Sequence, residues 1–307
     1  MSDIVAGIIS GDKRSISRAI SIIDNQEPES SNIIQQIFTM TGKARTIGFT
    51  GAAGAGKSTI IGKLAAEFNN LGYKVGVLAI DPTSPFTGGA ILGDRVRMMS
   101  TISGDIYMRS LASRGADGGI SESLRNVTRI LDAAGFDIIL IESVGAGQLE
   151  IEISKAVNIT VVVFTPQTGD SVQAIKAGLT EIGDLYVINK SDLDGSSVFF
   201  NTIRDLVGDH KKLVLKCSGR TGKGIKELAI NLEKQFNDAN SKNKEEQLIS
   251  FELEAMILNI IKEKTRSRIM NSKKFEYLVA KTLKKEIDPF AAASEFARSI
   301  LNKGDKI

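Results

Sequence analysis

Soft metal ligands are almost missing from this sequence: its 307 residues include one cysteine, Cys217, and one histidine, His210. A lone cysteine excludes an intrachain disulfide and suits a reducing compartment. His210 falls in the polar stretch 208–212, where an exposed loop position is expected. Charge of one sign is scarce as well. The formal net charge is +3, and although the isoelectric point is about 8.8, no basic stripe of the kind that grips nucleic acid stands out. No nucleic-acid partner is expected. The N-terminus lacks the charged-then-apolar pattern of a secretory signal, and no apolar run approaches the roughly 20 residues of a membrane span. A cytoplasmic protein without a membrane partner is expected. With 42% hydrophobic residues, the chain can build one large core plus appendages.

What is present divides into three parts. Residues 1–44 form an N-terminal helical extension: Ile16, Ile20 and Ile23, then Ile33, Ile34, Ile37 and Phe38, recur at helical spacing around the turn-rich "DNQEPESSN". Residues 45–236 alternate β-rich runs with helical stretches. Strands are expected at 46–50, 74–80, 106–110, 137–142, 159–164, 185–189 and 213–216. That alternation predicts an α/β fold, a mainly parallel sheet flanked by helices on both faces. The polar run 237–247 reads as a linker to a C-terminal helical part, 237–307. There Leu248, Phe251, Ala255, Leu258 and Ile261 repeat on one helical face, and Phe275, Leu278, Val279 and Leu283 do so again. Asp288 and Pro289 read as the cap and first residue of a last helix. This tail is expected to serve as a dimerisation arm.

Chemistry enters with "GFTGAAGAGKSTI", residues 48–60. Gly51, Ala52, Ala53, Gly54, Ala55, Gly56, Lys57 and Ser58 match G-x-x-x-x-G-K-[ST]. Glycines let the backbone curl so that successive N–H groups point at phosphate oxygens. Lys57 is the cation for the β- and γ-phosphates, and the hydroxyl of Ser58, followed by Thr59, is a ligand for Mg²⁺. The following helix adds the positive end of its dipole. A strand before the loop and a helix after it are the context this motif requires, so a P-loop NTPase is expected.

The base is read later, in "VINKSDL". Asn189, Lys190 and Asp192 form N-K-x-D at a strand end. The Asp192 carboxylate accepts from both the ring N–H and the exocyclic amino group of guanine, whereas adenine offers neither donor there. Asn189 would face the other edge of the base, with the Lys190 stem packed on its ring. Ser218, Gly219 and Arg220 resemble the loop that supplies a backbone N–H to guanine O6. GTP or GDP is therefore the expected nucleotide.

Two acidic residues end strands beside the loop, Asp81 in "VGVLAIDPTSP" and Glu142 in "DIILIESVGAGQ". Carboxylates at strand ends are where Mg²⁺ and its waters need ligands. Asp94 is a third acidic candidate, with a helix cap as its other reading. Gly145 stands where a D-x-x-G switch turns its N–H to the γ-phosphate. Gln148 suits either the placing of an attacking water or an ordinary helix start. The segment 169–176 follows a strand and carries Asp170, Gln173 and Lys176 at three-residue spacing.

Three longer pieces, "LAIDPTSPFTGGAILGDRVRM", "AAGFDIILIESVGAGQLE" and "GDSVQAIKAGL", resemble the methylmalonyl-CoA mutase-associated G proteins of MeaB/ArgK type. The likeness runs from "GDKRSISRAISII" to "DPFAAASEF", nearly the whole chain. It implies a homodimeric GTPase that chaperones an adenosylcobalamin-dependent acyl-CoA mutase, gating cofactor loading and protection. It also implies that Asp81, Asp94 and Glu142 form the acidic Mg²⁺ shell. Gln173 and Lys176 would belong to an extra switch that responds to the mutase, joining Lys57 and Glu142 in catalysis. Where the family usually has Thr and Val, this chain has Ser143 and Ala146, and Pro85-Phe86 interrupts a Ser-x-x-Thr-Gly-Gly pattern. Two other readings compete. A metal-inserting maturation GTPase would need His and Cys that are scarce here, unless a dimer pairs Cys217. A nucleotide-gated scaffold would bind GTP and hardly hydrolyse it.

Overall fold

Seven runs of aliphatic and β-branched residues lie side by side in the computed structural model, which describes residues 2–81, 106–112, 119–143, 148–166, 178–207, 212–238 and 240–301. They are β1 (Arg45–Thr50), β2 (Val75–Asp81), β3 (Tyr107–Ala112), β4 (Ile138–Glu142), β5 (Ile159–Phe164), β6 (Leu185–Ile188) and β7 (Leu213–Lys216). All pair in parallel, in the order β3-β2-β4-β1-β5-β6-β7. Each expected strand is found, with no end displaced by more than two residues.

The strands are apolar on both faces because helices cover both. On β4, Ile139 and Ile141 join a cluster with α1 (Asp3–Ile9), α2 (Lys13–Asp24), α3 (Ser30–Ile37), α5 (Gly119–Ala133) and α6 (Gln148–Ser154). Their neighbours Ile138 and Leu140 turn to the opposite cluster, with α4 (Lys57–Asn70) and α9 (Ile225–Phe236). Alternation of side chains along a strand separates the two cores. Val162, Phe164, Tyr186 and Ile188 pack with α7 (Leu179–Ile182) and α8 (Ser196–Val207). Residues 1–44 thus share a core with the sheet. The Asp132 carboxylate draws them to β1 by accepting the N–H groups of Gly42 (2.5 Å), Lys43 (3.2 Å) and Ala44 (3.0 Å).

The polar run 237–247 departs from its reading as a linker: α10 (Asn240–Met270) begins inside it. Lysine, glutamate and glutamine favour helix, and nothing there breaks one. The chain divides into two compact units, Met1–Ile249 and Ser250–Ile307. In the second, α11 (Lys273–Leu283) and α12 (Pro289–Leu301) bury Leu278, Ala292 and Phe296 together. Pro289 opens α12, and Asp288 caps it by accepting from Phe290 N and Ala291 N, both at 2.9 Å.

β1 stands at the centre of the sheet, with β4 on one side and β5 on the other. The chain leaves β1 toward one edge and later returns to build the other. Ligands of such sheets bind outside the carboxyl ends of strands at this reversal. Thr50, Asp81, Glu142, Phe164 and Ile188 all close strands at that edge.

Candidate functional site

Between β1 and α4 the backbone makes a loop that only glycine can build at two points. Gly51 has φ +137°, and a Cβ there would lie 2.2 Å from the Val163 carbonyl oxygen. Gly56 has φ +86°, and its Cβ would meet Asn189 Nδ2 at 2.3 Å. Lys57 opens α4 and is 5% exposed. Its ammonium bends back over the loop, donating to the carbonyls of Gly51 (2.7 Å) and Ala52 (3.1 Å). Ser58, next along, donates its hydroxyl to Glu142 Oε1 at 2.5 Å.

Glu142 ends β4 and lies level with Phe49 of β1 and Ala79 of β2. Asp81, two residues past Ala79, is buried at the end of β2. A serine hydroxyl and two carboxylates at neighbouring strand ends are hard oxygen donors, which fit Mg²⁺ and would not suit a soft metal. Among the described residues no three acidic, histidine or cysteine side chains gather as a metal group. The third acidic candidate, Asp94, lies outside the described residues, as do Gly145, Gln173 and Lys176, the side chain of Gln148, and His210.

The guanine signals converge on the same loop. Asn189 is 2% exposed and bonded at both ends of its amide. Nδ2 donates to Ala55 O at 2.7 Å, and Oδ1 accepts from Gly219 N at 3.0 Å. One side chain therefore ties the phosphate loop to the loop 218–220. Thr59 touches that loop too, since a Cβ on Gly219 would meet Thr59 Cγ2 at 3.0 Å. Lys190 turns the chain with φ +56°, a conformation that costs a non-glycine residue about 1–2 kcal/mol. After it Ser191 N bonds to Cys217 O at 3.0 Å. Asp192 stands in solvent, its carboxyl held below the usual range first by the Ser218 hydroxyl. Ser218 is fully buried and also accepts Thr221 N at 3.1 Å, while Arg220 is exposed.

Cys217 follows the end of β7 beneath this loop. It is fully buried, and burial pushes its thiol up to about 12. Reactive or metal-binding cysteines need access and thiolate character, so this one is unsuited to a site shared between subunits. A polar group that sequence reasoning missed lies under the loop: Thr50 and Ser143, both fully buried with hydroxyls 3.4 Å apart, and Glu150. Among the described residues no helix is long and apolar enough to cross a membrane.

The chain is similar to known proteins. A solved structure described as a LAO/AO transport system kinase superposes with a TM-score of 0.72 at 21% identity, covering 98% of this chain and 97% of its own. At that identity the likeness speaks for the fold. Sequence relatives go further. A provisionally named GTPase of Pyrococcus horikoshii is 38% identical over 99% of both chains. GTPase ArgK of Escherichia coli is 33% identical over 71% of this chain and 70% of its own. A fused isobutyryl-CoA mutase of Geobacillus kaustophilus is 32% identical over 78% of this chain, within 22% of its own length. A family model described as methylmalonyl-CoA mutase-associated GTPase MeaB matches residues 16–274. The chain is a P-loop protein of the guanine-nucleotide class and belongs to the MeaB family of methylmalonyl-CoA mutase-associated GTPases.

Proposed function

We propose that this protein hydrolyses GTP with Mg²⁺ and uses the cycle to chaperone an adenosylcobalamin-dependent acyl-CoA mutase, gating the loading and protection of its cofactor. The observation that carries the nucleotide reading is the Asn189 amide, which joins the phosphate loop to the guanine loop through Ala55 O and Gly219 N. A P-loop that held any phosphate would not need that tie. In this reading residues 51–59 cradle the phosphates and Asp192 reads the base beside Lys190, Ser218, Gly219 and Arg220. Ser58, Asp81, Asp94 and Glu142 would hold Mg²⁺, which neutralises charge developing on the phosphates. The mutase reading is supported by kinship, a relative that carries the matching segment within a mutase chain.

Phosphoryl transfer gains about 10³-fold or more when a partner adds one charge-stabilising group. Hydrolysis by the protein alone should therefore be slow, and the mutase from the same cell should accelerate it at least about tenfold. Lys176→Ala should erase most of that acceleration in a phosphate-release assay. Equal stimulation of variant and parent would remove Lys176, and with it Gln173, from the proposed switch.

The second unit carries the dimer proposal. Ile257 and Ile261 are more than half exposed, one helical turn apart on α10. Exposed large aliphatics in a row on one helix face are what a second copy covers. Ile257→Asp with Ile261→Asp should halve the mass measured by light scattering. A double variant that keeps the mass of the parent would place the dimer contact elsewhere.

A further inference from the structure

Glycine stands at position 219 without a conformational reason. Its φ lies outside the left-handed region, unlike those of Gly222 and Gly224 a few residues on (+82° and +80°). An alanine could therefore adopt the same backbone. What is missing is room. A Cβ on this buried residue would stand 3.0 Å from Thr59 Cγ2 and 3.1 Å from Thr59 Cβ, with Ile60 N at 3.4 Å. Carbon atoms in ordinary contact lie about 3.5–4.0 Å apart. The guanine loop thus rests against the first turn of α4, the helix that opens with Lys57 and Ser58.

Neither side of the contact can give way alone. Residues 218–224 close on themselves: Ser218 N donates to Lys223 O (2.9 Å), Gly222 N to Ser218 O (2.8 Å) and Thr221 N to the Ser218 hydroxyl (3.1 Å). Gly224 anchors the end of this turn, since a Cβ there would meet Lys216 O at 2.1 Å. A side chain at 219 would move the turn as a body and lengthen the 3.0 Å bond from Gly219 N to Asn189 Oδ1. Thr59 in turn belongs to a helix whose Ile60, Ile61 and Leu64 are fully buried in the core. Asn189 draws the loop in, and the bare α-carbon of Gly219 against Thr59 stops it.

We propose that the contact between Gly219 and Thr59 determines base selectivity: it sets how closely the loop 218–220 approaches α4, and so where its backbone N–H groups stand for the 6-oxo group of guanine. A purine with an amino group at that position gains nothing from such a donor. Withdrawing the loop by a few tenths of an ångström stretches the hydrogen bond toward the length at which it fails. Gly219 and Thr59 act here as positioning residues, because the group that reads the base is the backbone.

This inference rests on the guanine-nucleotide reading, and a double-mutant cycle keeps the two apart. Gly219→Ala should lower GTP affinity at least about tenfold in calorimetry with Mg²⁺, as overpacking of a closed contact does. ATP affinity, measured by competition, should change less than about threefold, so that the preference for guanine falls. Thr59→Gly removes both carbons that the new methyl group would meet. In that background the same Gly219→Ala change should cost less than about threefold relative to Thr59→Gly alone. An equal loss of GTP affinity in both backgrounds, or no loss in the parent, would overturn the proposal. So would an equal fall for ATP and GTP, which a general disturbance of the loop predicts. Should Gly219→Ala not fold, the double variant should restore folding, and its failure to do so refutes the contact. A parent that does not prefer GTP to ATP would sink the guanine reading instead. Melting temperatures of the parent, both single variants and the double variant without nucleotide would still judge whether the two positions couple.

Discussion

Lys57→Ala is expected to weaken GTP binding at least about 100-fold in titration calorimetry, since losing one partner of a desolvated charge pair costs about 2–5 kcal/mol. The ammonium is nearly buried and lies over the loop, on the carbonyls of Gly51 and Ala52. It needs only to swing from those carbonyls to reach phosphate oxygens in the same cradle. Alanine suits the first turn of α4, so the helix itself should persist. The variant does leave the buried Glu150 carboxyl without the cation it faces. A modest drop in melting temperature without nucleotide is therefore expected beside the binding loss. Unchanged GTP affinity would mean that this loop does not hold the terminal phosphates.

The contrast between Lys57 and Glu150 shows what a sequence makes legible. Lys57, Ser58, Asn189 and Asp192 sit in short motifs whose spacing is dictated by the ligand, so their chemistry can be read locally. The strands were legible for a related reason: runs such as 138–141 and 159–164 are apolar on both faces, which only a covered parallel sheet requires. Glu150 has no such signature. In "QLEIEIS" the apolar residues alternate, which suggests that Ile151 points inward and Glu150 outward. The helix inverts this, leaving Ile151 41% exposed and Glu150 3%. What decides the matter is Gly48, about a hundred residues earlier, where a Cβ would lie 2.8 Å from Ile153 Cγ2, and contact at that distance leaves no local pattern. One local misreading has a local cause: the run 237–247 reads as a linker because it is polar, yet polarity alone does not prevent a helix, and α10 begins within it.

Asp192→Asn should reduce GTP affinity at least about 100-fold and give the protein a preference for xanthosine triphosphate, because a site built to pair a polar edge rejects the mispaired base strongly. The carboxylate stands in solvent at the rim of the site, with its charge favoured by the Ser218 hydroxyl. A carboxylate accepts from both guanine donors at once. Asparagine has one acceptor for the ring N–H, and its amino group then meets the exocyclic amino group of guanine, donor against donor. Xanthine carries an oxygen at that position, so the same asparagine pairs at both points. The scaffold should not move, because the buried parts of this corner are the Asn189 amide and Ser218, and the substitution alters neither. Competition binding with GTP, xanthosine triphosphate and ATP on parent and variant checks the exchange. If the parent binds ATP as well as GTP, Asp192 does not read the base at all. If the variant loses GTP without gaining xanthosine triphosphate, the aspartate holds the loop through Ser218, and the selectivity has to come from the backbone of Ser218, Gly219 and Arg220.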